Sequence, residues 1–391
     1  MSDAPPSAPG TRRPALHFAI AAAVGALLIG ITAGTATAAH ESRPWCLPPV
    51  FDGGQRLHTL PGPNVFWLEL LLRQHEVCRR DVPGEVRIFL NGSSSVFGFP
   101  FPAEQTFAYH MNESFAATHV PAHVFNLAFV NPYQVRDAVI ISEARRYAPD
   151  IILYPLTRSE FVHAAPVFFP SIGRFFDMNR SAVDRLAADP PPGLDEPIQK
   201  YATISHRPRS VSAPLDYLRE SGLLLRTSAR MNARSVAAAI GGTLPPLATT
   251  TRRRPGAYDC AKTREDVEKR YTDWQDWNIL SYLDDLRRRD GVEIVLVYWP
   301  LAHEPVQDCY NIRDTTAGVE EFAAWMRAQA TARHFPYVDL HAVLAPELFL
   351  DSLHLSAEGH ARVAELLAQA LAPIVRERLE HCRASGTGCG Q

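Results

Sequence analysis

The chain of 391 residues is long enough to bury a substantial core, as one large domain or two ordinary ones. With 46% hydrophobic and 21% charged residues it has an ordinary globular composition, and a formal charge of -3 argues against an electrostatic nucleic-acid binder. No RNA- or DNA-binding module is legible, so nucleic acid is not an expected partner.

The first 14 residues, MSDAPPSAPGTRRP, are polar and proline-rich, and Arg12 and Arg13 stand directly before the apolar segment 15–39. About 20 apolar residues span a bilayer, and flanking arginines hold a short tail on the cytoplasmic side. The segment predicts export, with 1–14 as a cytoplasmic tail and 40–391 facing outward. Ala36, Thr37 and Ala38 also form an A-x-A cleavage pattern, so a removed signal peptide, which would leave a secreted protein, competes with the favoured retained anchor. Six cysteines (Cys46, Cys78, Cys260, Cys309, Cys382, Cys389) suit an oxidising compartment, where an even number permits disulfides. Their spacing assigns no pairs, and scattered buried thiols are the alternative. None stands in a C-x-x-C or comparable arrangement, so neither a metal nor another cofactor is expected.

Beyond the apolar segment, PNVFWLELLLRQHEVCRR carries apolar residues at helical spacing, and the stretch from Asp81 to Gly84 ends it before the run EVRIFLNG. A helix and a first strand follow from this. AHVFNLAFVN, PDIILYPLT, GVEIVLVYWP and FPYVDLHAV are four further short runs rich in Val, Ile, Phe and Tyr, each read as a buried strand. Amphipathic stretches lie between them: YQVRDAVIISEARRYA, TREDVEKRYTDWQDWNILSYLDDLRRR and VEEFAAWMRAQATARH. Such alternation predicts a mainly parallel five-stranded sheet covered on both faces by helices, a three-layer α/β/α sandwich. Residues 159–259 contain no clear strand and are punctuated by DPPPG, GGTLPP and TTTRRRPG, which predicts a helical insertion. In it, Arg226, Arg230 and Arg234 share one helix face, either a solvated basic surface or a contact for an anionic glycan or headgroup. The run Arg252 to Arg254 reads as a solvated loop.

Ligands of parallel α/β sheets sit beyond the carboxyl ends of the strands, which directs attention to the residues after each run. RIFLNGSSSVFG ends a strand in Gly92, whose missing side chain lets the backbone turn sharply and approach a substrate. A hydroxyl from the serines behind it would then stand above the sheet edge. Val96 occupies the place of the second glycine of a G-x-S-x-G elbow, so that motif is absent. Near the far end, DSLHLSAEGHARVAELL places Asp351 three residues before His354, ahead of a helix that Ser356 can cap. A carboxylate there can hold one ring nitrogen of His354 and leave the other outward for a serine. An isolated D-x-x-H is otherwise a helix-cap arrangement or a surface ion pair. His303 in YWPLAHEP is read as a loop residue, with a place in the pocket lining as the alternative, Trp299 as packing or a pocket wall, and His341 and His360 as structural or solvated.

On GSSSVFG, NLAFVN and DSLHL the chain resembles the SGNH (GDSL-type) hydrolase superfamily from the first strand to the C-terminal helix, the insertion excepted. The resemblance implies a flavodoxin-like fold, Ser94 as nucleophile with Ser93 where Asp is usual, and Asp351 and His354 as its partners. Asn131 takes the place of the second-block glycine, whose backbone N–H is an oxyanion donor. YPLTRSE lacks the third-block asparagine, for which Thr157, Arg158 or Ser159 would substitute, Arg158 with the strongest electrostatic help. The resemblance further implies hydrolysis of an ester-linked acyl group of an envelope glycan or lipid through an acyl-serine. Transfer of that group to an envelope polysaccharide, in company with a membrane acyltransferase, and a non-catalytic glycan-binding module of the same fold are the alternatives.

Overall fold

A computed structural model describes residues 68–98, 101, 103–129, 134–157, 175–176, 179–195, 198–199, 279–302, 316–350, 353–385 and 389. The apolar segment 15–39, Arg226, Arg230, Arg234, Arg252 to Arg254 and His303 lie outside them. No helix among the described residues is long and apolar enough to cross a membrane.

All five expected strands form: β1 (Val86–Leu90), β2 (Ala122–Asn126), β3 (Ile151–Leu156), β4 (Glu293–Tyr298) and β5 (Tyr337–Asp339). They pair in parallel in the order β2-β1-β3-β4-β5. The helices are α1 (Leu68–Gln74), α2 (Glu76–Arg79), α3 (Ser94–Phe97), α4 (Phe107–Ala117), α5 (Gln134–Ala144), α6 (Arg180–Ala188), α7 (Ile279–Asp290), α8 (Thr316–Arg333) and α9 (Ala357–Ser385).

The strands are apolar on both faces because each face is covered. Ile88, Leu90, Val124, Leu153, Val295 and Val297 pack into one layer with α4 and α9. Phe89, Phe125, Ile152, Tyr154 and Leu296 point the other way, onto α1, α5, α7 and α8. This is the three-layer α/β/α sandwich. Its strand order reverses between β1 and β3, and a doubly wound sheet opens its ligand crevice beyond the carboxyl ends at that point.

Two local readings change. The helix expected across 63–80 is broken at His75, whose Nδ1 accepts the Val77 N–H at 3.0 Å and starts α2 afresh. Helix α4, between β1 and β2, is additional; it buries Phe107, Ala108, Met111 and Phe115. Of the expected helical insertion, α6 is described, held to α5 by Arg185 and Glu143 at 2.6 Å.

Cys382, near the end of α9, and Cys389 form a disulfide, and no described cysteine is free. Cys78 is also disulfide-bonded. Asp150 lies beside Cys382 and Cys389, but both sulfurs are committed to each other. The pair is seven residues apart, and closing so short a loop in the unfolded chain is worth about 2 kcal/mol. The double variant Cys382→Ala/Cys389→Ala is therefore expected to lose about 2 kcal/mol in urea unfolding. An unchanged midpoint would contradict this.

Candidate active site

The serine-rich turn is built by the backbone around it. The Asn91 N–H donates to the Leu153 carbonyl at 3.0 Å, so β1 stays against β3 up to its last residue. Gly92 follows. Its φ is not positive, and a Cβ there would meet the β-branched side chain of Val96 at 2.9 Å. The glycine is required for α3 to fold back onto its own strand. Ser93 then caps α3 with its carbonyl, which accepts the N–H groups of Val96 and Phe97 at 3.1 and 3.0 Å. Gly98 ends the turn in the left-handed region at φ 87°, where side-chain-bearing residues are strained.

This turn sorts the three serines. Ser93 and Ser95 are each 1% exposed and hydrogen-bond to one another through their hydroxyls at 2.8 Å. Ser94, between them, is half-buried and turns outward. It opens α3, and its backbone N–H bonds no acceptor among the described residues.

His354 arrives from the other end of the chain on a tight loop. Phe349 and Leu355 form an antiparallel bridge, the Leu350 N–H donates to the His354 carbonyl at 2.7 Å, and the Ser356 N–H donates to the Leu348 carbonyl at 2.8 Å. As expected, Ser356 caps the following helix, its Oγ accepting the Gly359 N–H at 3.0 Å. Gly359 permits the loop to sit on α9, since a Cβ there would lie 2.3 Å from the Leu348 carbonyl oxygen.

Ser94 Oγ and His354 Nε2 lie 3.0 Å apart, although 260 residues separate them in sequence. That is within the reach needed for proton transfer from hydroxyl to imidazole. Asp351 belongs to the same loop as His354 but lies outside the described residues, as do Asn131 and Arg158. Thr157, at the end of β3, is fully buried.

The other singled-out residues have neighbours of their own. Trp299 is fully buried and packs edge-on against Phe107 at 5.0 Å, which makes it a core residue. His341 stacks on Tyr298 and pairs through Nδ1 with Asp339 at 2.5 Å. His360 is buried near Phe101.

Two groups were given no role from the sequence. Asn126, the last residue of β2, is fully buried; its Oδ1 accepts the Ala128 N–H at 3.1 Å and its Nδ2 donates to the Phe97 carbonyl at 3.3 Å. Arg136 and Asp137 form a buried ion pair at the start of α5. Arg136 also donates to the Phe129 carbonyl at 3.1 Å, and the Tyr154 hydroxyl donates to Asp137 at 2.9 Å. In the first case the available signal was the place of Asn126 at the head of NLAFVN, and in the second it was adjacent opposite charges at a helix start.

No family model matches the chain, and no curated protein does. Solved structures with a similar chain path include Est24, a carbohydrate acetylesterase from Sinorhizobium meliloti (12% identity, 74% of this chain and 100% of that chain, TM-score 0.34). A lipase/acylhydrolase from Enterococcus faecalis is similar at 12% identity over 74% of this chain and 96% of that chain, with a TM-score of 0.35. A GDSL-like lipase from Bacteroides thetaiotaomicron is similar at 9% identity over 74% of this chain and 88% of that chain, with a TM-score of 0.31. Likeness at this level carries no chemistry to the site.

Proposed function

We propose that the chain is a serine esterase of the SGNH type, acting outside the cytoplasm on an ester-linked acyl group of an envelope glycan or lipid. The observation that carries the reading is the 3.0 Å approach of Ser94 Oγ to His354 Nε2 at the carboxyl edge of a parallel sheet. Ser94 Oγ attacks the acyl carbon while its proton passes to Nε2, and the C=O oxygen takes the negative charge. Collapse of that intermediate breaks the ester C–O bond, and the imidazolium returns the proton to the leaving alcohol. Water then attacks the acyl-serine, with Nε2 again accepting a proton, and releases the carboxylic acid and the free serine.

In this reading Asp351 holds Nδ1 and stabilises the imidazolium, while the Ser94 and Asn131 N–H groups receive the oxyanion with Arg158 nearby. An outward location is supported by the Cys382–Cys389 disulfide and by the apolar segment 15–39, which would tether the enzyme to the membrane.

The test is covalent. The full-length protein in detergent, treated with a fluorophosphonate, is expected to gain one phosphonyl group, mapped by peptide mass to Ser94. No adduct, or an adduct on a different serine, would remove the basis of the reading.

A further inference from the structure

Helix α3 is a single turn of four residues, too short to hold its own shape. Closing one helical turn fixes several dihedrals for very few hydrogen bonds, so an isolated turn is unfavourable. Within it, among the described residues, only the Val96 and Phe97 N–H groups find acceptors, both at the Ser93 carbonyl. The Ser93 side chain makes no capping bond, because its hydroxyl faces Ser95. Yet Ser94, the first residue of this turn, must present both its hydroxyl and its N–H in fixed directions. The constraint has to come from outside the turn.

The segment after β2 supplies it at two points. Upstream of Ser94, the Gly92 carbonyl accepts the Phe129 N–H at 2.9 Å. Downstream, the Phe97 carbonyl accepts from Asn126 Nδ2 at 3.3 Å. Asn126 also shapes the segment that makes the first contact, since its Oδ1 holds the Ala128 N–H at 3.1 Å. One fully buried amide thus uses its donor on the nucleophile turn and its acceptor on the loop that leads to Asn131.

Resting on the proposed esterase reading, we infer that Asn126 is a positioning residue that fixes the Ser94 N–H relative to the β2 loop and so sets the geometry of the oxyanion site. Its contribution falls on the transition state. The ground-state ester carbonyl is planar and weakly charged, whereas the tetrahedral oxyanion needs donors in fixed places. A side chain that touches neither substrate nor reacting atom then lowers kcat when removed and leaves KM alone.

Misplacing reacting groups by about 1 Å costs on the order of 100-fold in rate. For Asn126→Leu, which removes both bonds at similar volume, kcat on p-nitrophenyl acetate is expected to fall roughly ten- to a hundredfold with KM within about twofold. Asn126→Asp keeps the acceptor for Ala128 and loses the donor to Phe97. It is expected to fall similarly in kcat, and it provides a second reading if the leucine variant folds poorly. Rates are taken per site titrated by fluorophosphonate, which removes unfolded molecules from the count.

The inhibition constant of phenylboronic acid, which forms a tetrahedral adduct on the serine, should rise by the same factor as kcat falls. A purely structural role would leave that inhibition constant unchanged. Unchanged kcat per titrated site in both variants, or a lower kcat with unchanged boronate affinity, would overturn the role of Asn126 alone. Absence of labelling and turnover in the wild-type protein would overturn the esterase reading, and the positioning role with it.

Discussion

Replacement of Ser94 by alanine is expected to lower kcat for p-nitrophenyl acetate by about 10⁴- to 10⁶-fold, with His354→Ala close behind. The reason is mutual dependence. The hydroxyl is a poor nucleophile without a base at 3.0 Å, and the imidazole has nothing to deprotonate without the hydroxyl. The double variant should therefore be scarcely slower than either single one. Full additivity of the two losses would mean that the residues act separately. A wild-type rate in Ser94→Ala would mean that the ester is cleaved elsewhere. Because Ser94 is half-buried and its hydroxyl hydrogen-bonds only His354 among the described residues, thermal stability should change little, which separates lost chemistry from lost fold.

The wide difference between what the sequence shows of the strands and of the site has a physical origin. Burial on both faces turns each strand into an unbroken apolar run, such as VRIFL or EIVLVY, and alternation with helices then implies the parallel sheet. Helix α4 buries Phe107, Ala108, Met111 and Phe115 at ordinary helical spacing, so its stripe too is present in the sequence. The break at His75 depends on one side-chain cap, which periodicity does not encode.

At the site, Ser93, Ser94 and Ser95 are chemically identical, and only the resemblance to a known block distinguished the middle one. Its outward direction comes from a turn in which the two flanking hydroxyls satisfy each other beneath it. The pairing with His354 was legible as two short motifs, whereas the distance between them is a property of the whole sheet. Asn126 is legible in the sequence as the head of the NLAFVN block, but its duty is not, because the carbonyl it binds belongs to Phe97, 29 residues earlier. Gly92 has a steric duty against Val96 that comes in addition to the freedom expected of it near a substrate, and spacing alone does not show it.

The ion pair beneath the β2 loop gives the largest expected change in stability. Arg136 is 1% exposed, and its guanidinium bonds Asp137 and the Phe129 carbonyl while lying over the Phe129 ring at 5.5 Å. Removing one member of a buried pair leaves the other charge without compensation, at a cost of about 3–5 kcal/mol. Arg136→Leu is expected to lose that much in urea unfolding at neutral pH.

The pH dependence distinguishes this cause from simple loss of packing. Burial already raises the carboxyl of Asp137 above its ordinary value, against the opposing pull of Arg136 and the Tyr154 hydroxyl. Without the guanidinium that pull weakens and the folded-state value rises further. A carboxyl whose value is higher in the folded state than in the unfolded chain favours folding while protonated, and that advantage disappears as pH rises through the folded-state value. The deficit of Arg136→Leu relative to wild type should be smallest near pH 4, about the ordinary value of an aspartate, and should widen toward neutrality. A deficit independent of pH would assign the loss to packing against Phe129. The double variant Arg136→Leu/Asp137→Leu, which removes both charges together, should recover much of the lost stability. If it remains as unstable as the single variant, the unpaired carboxylate is not the cause.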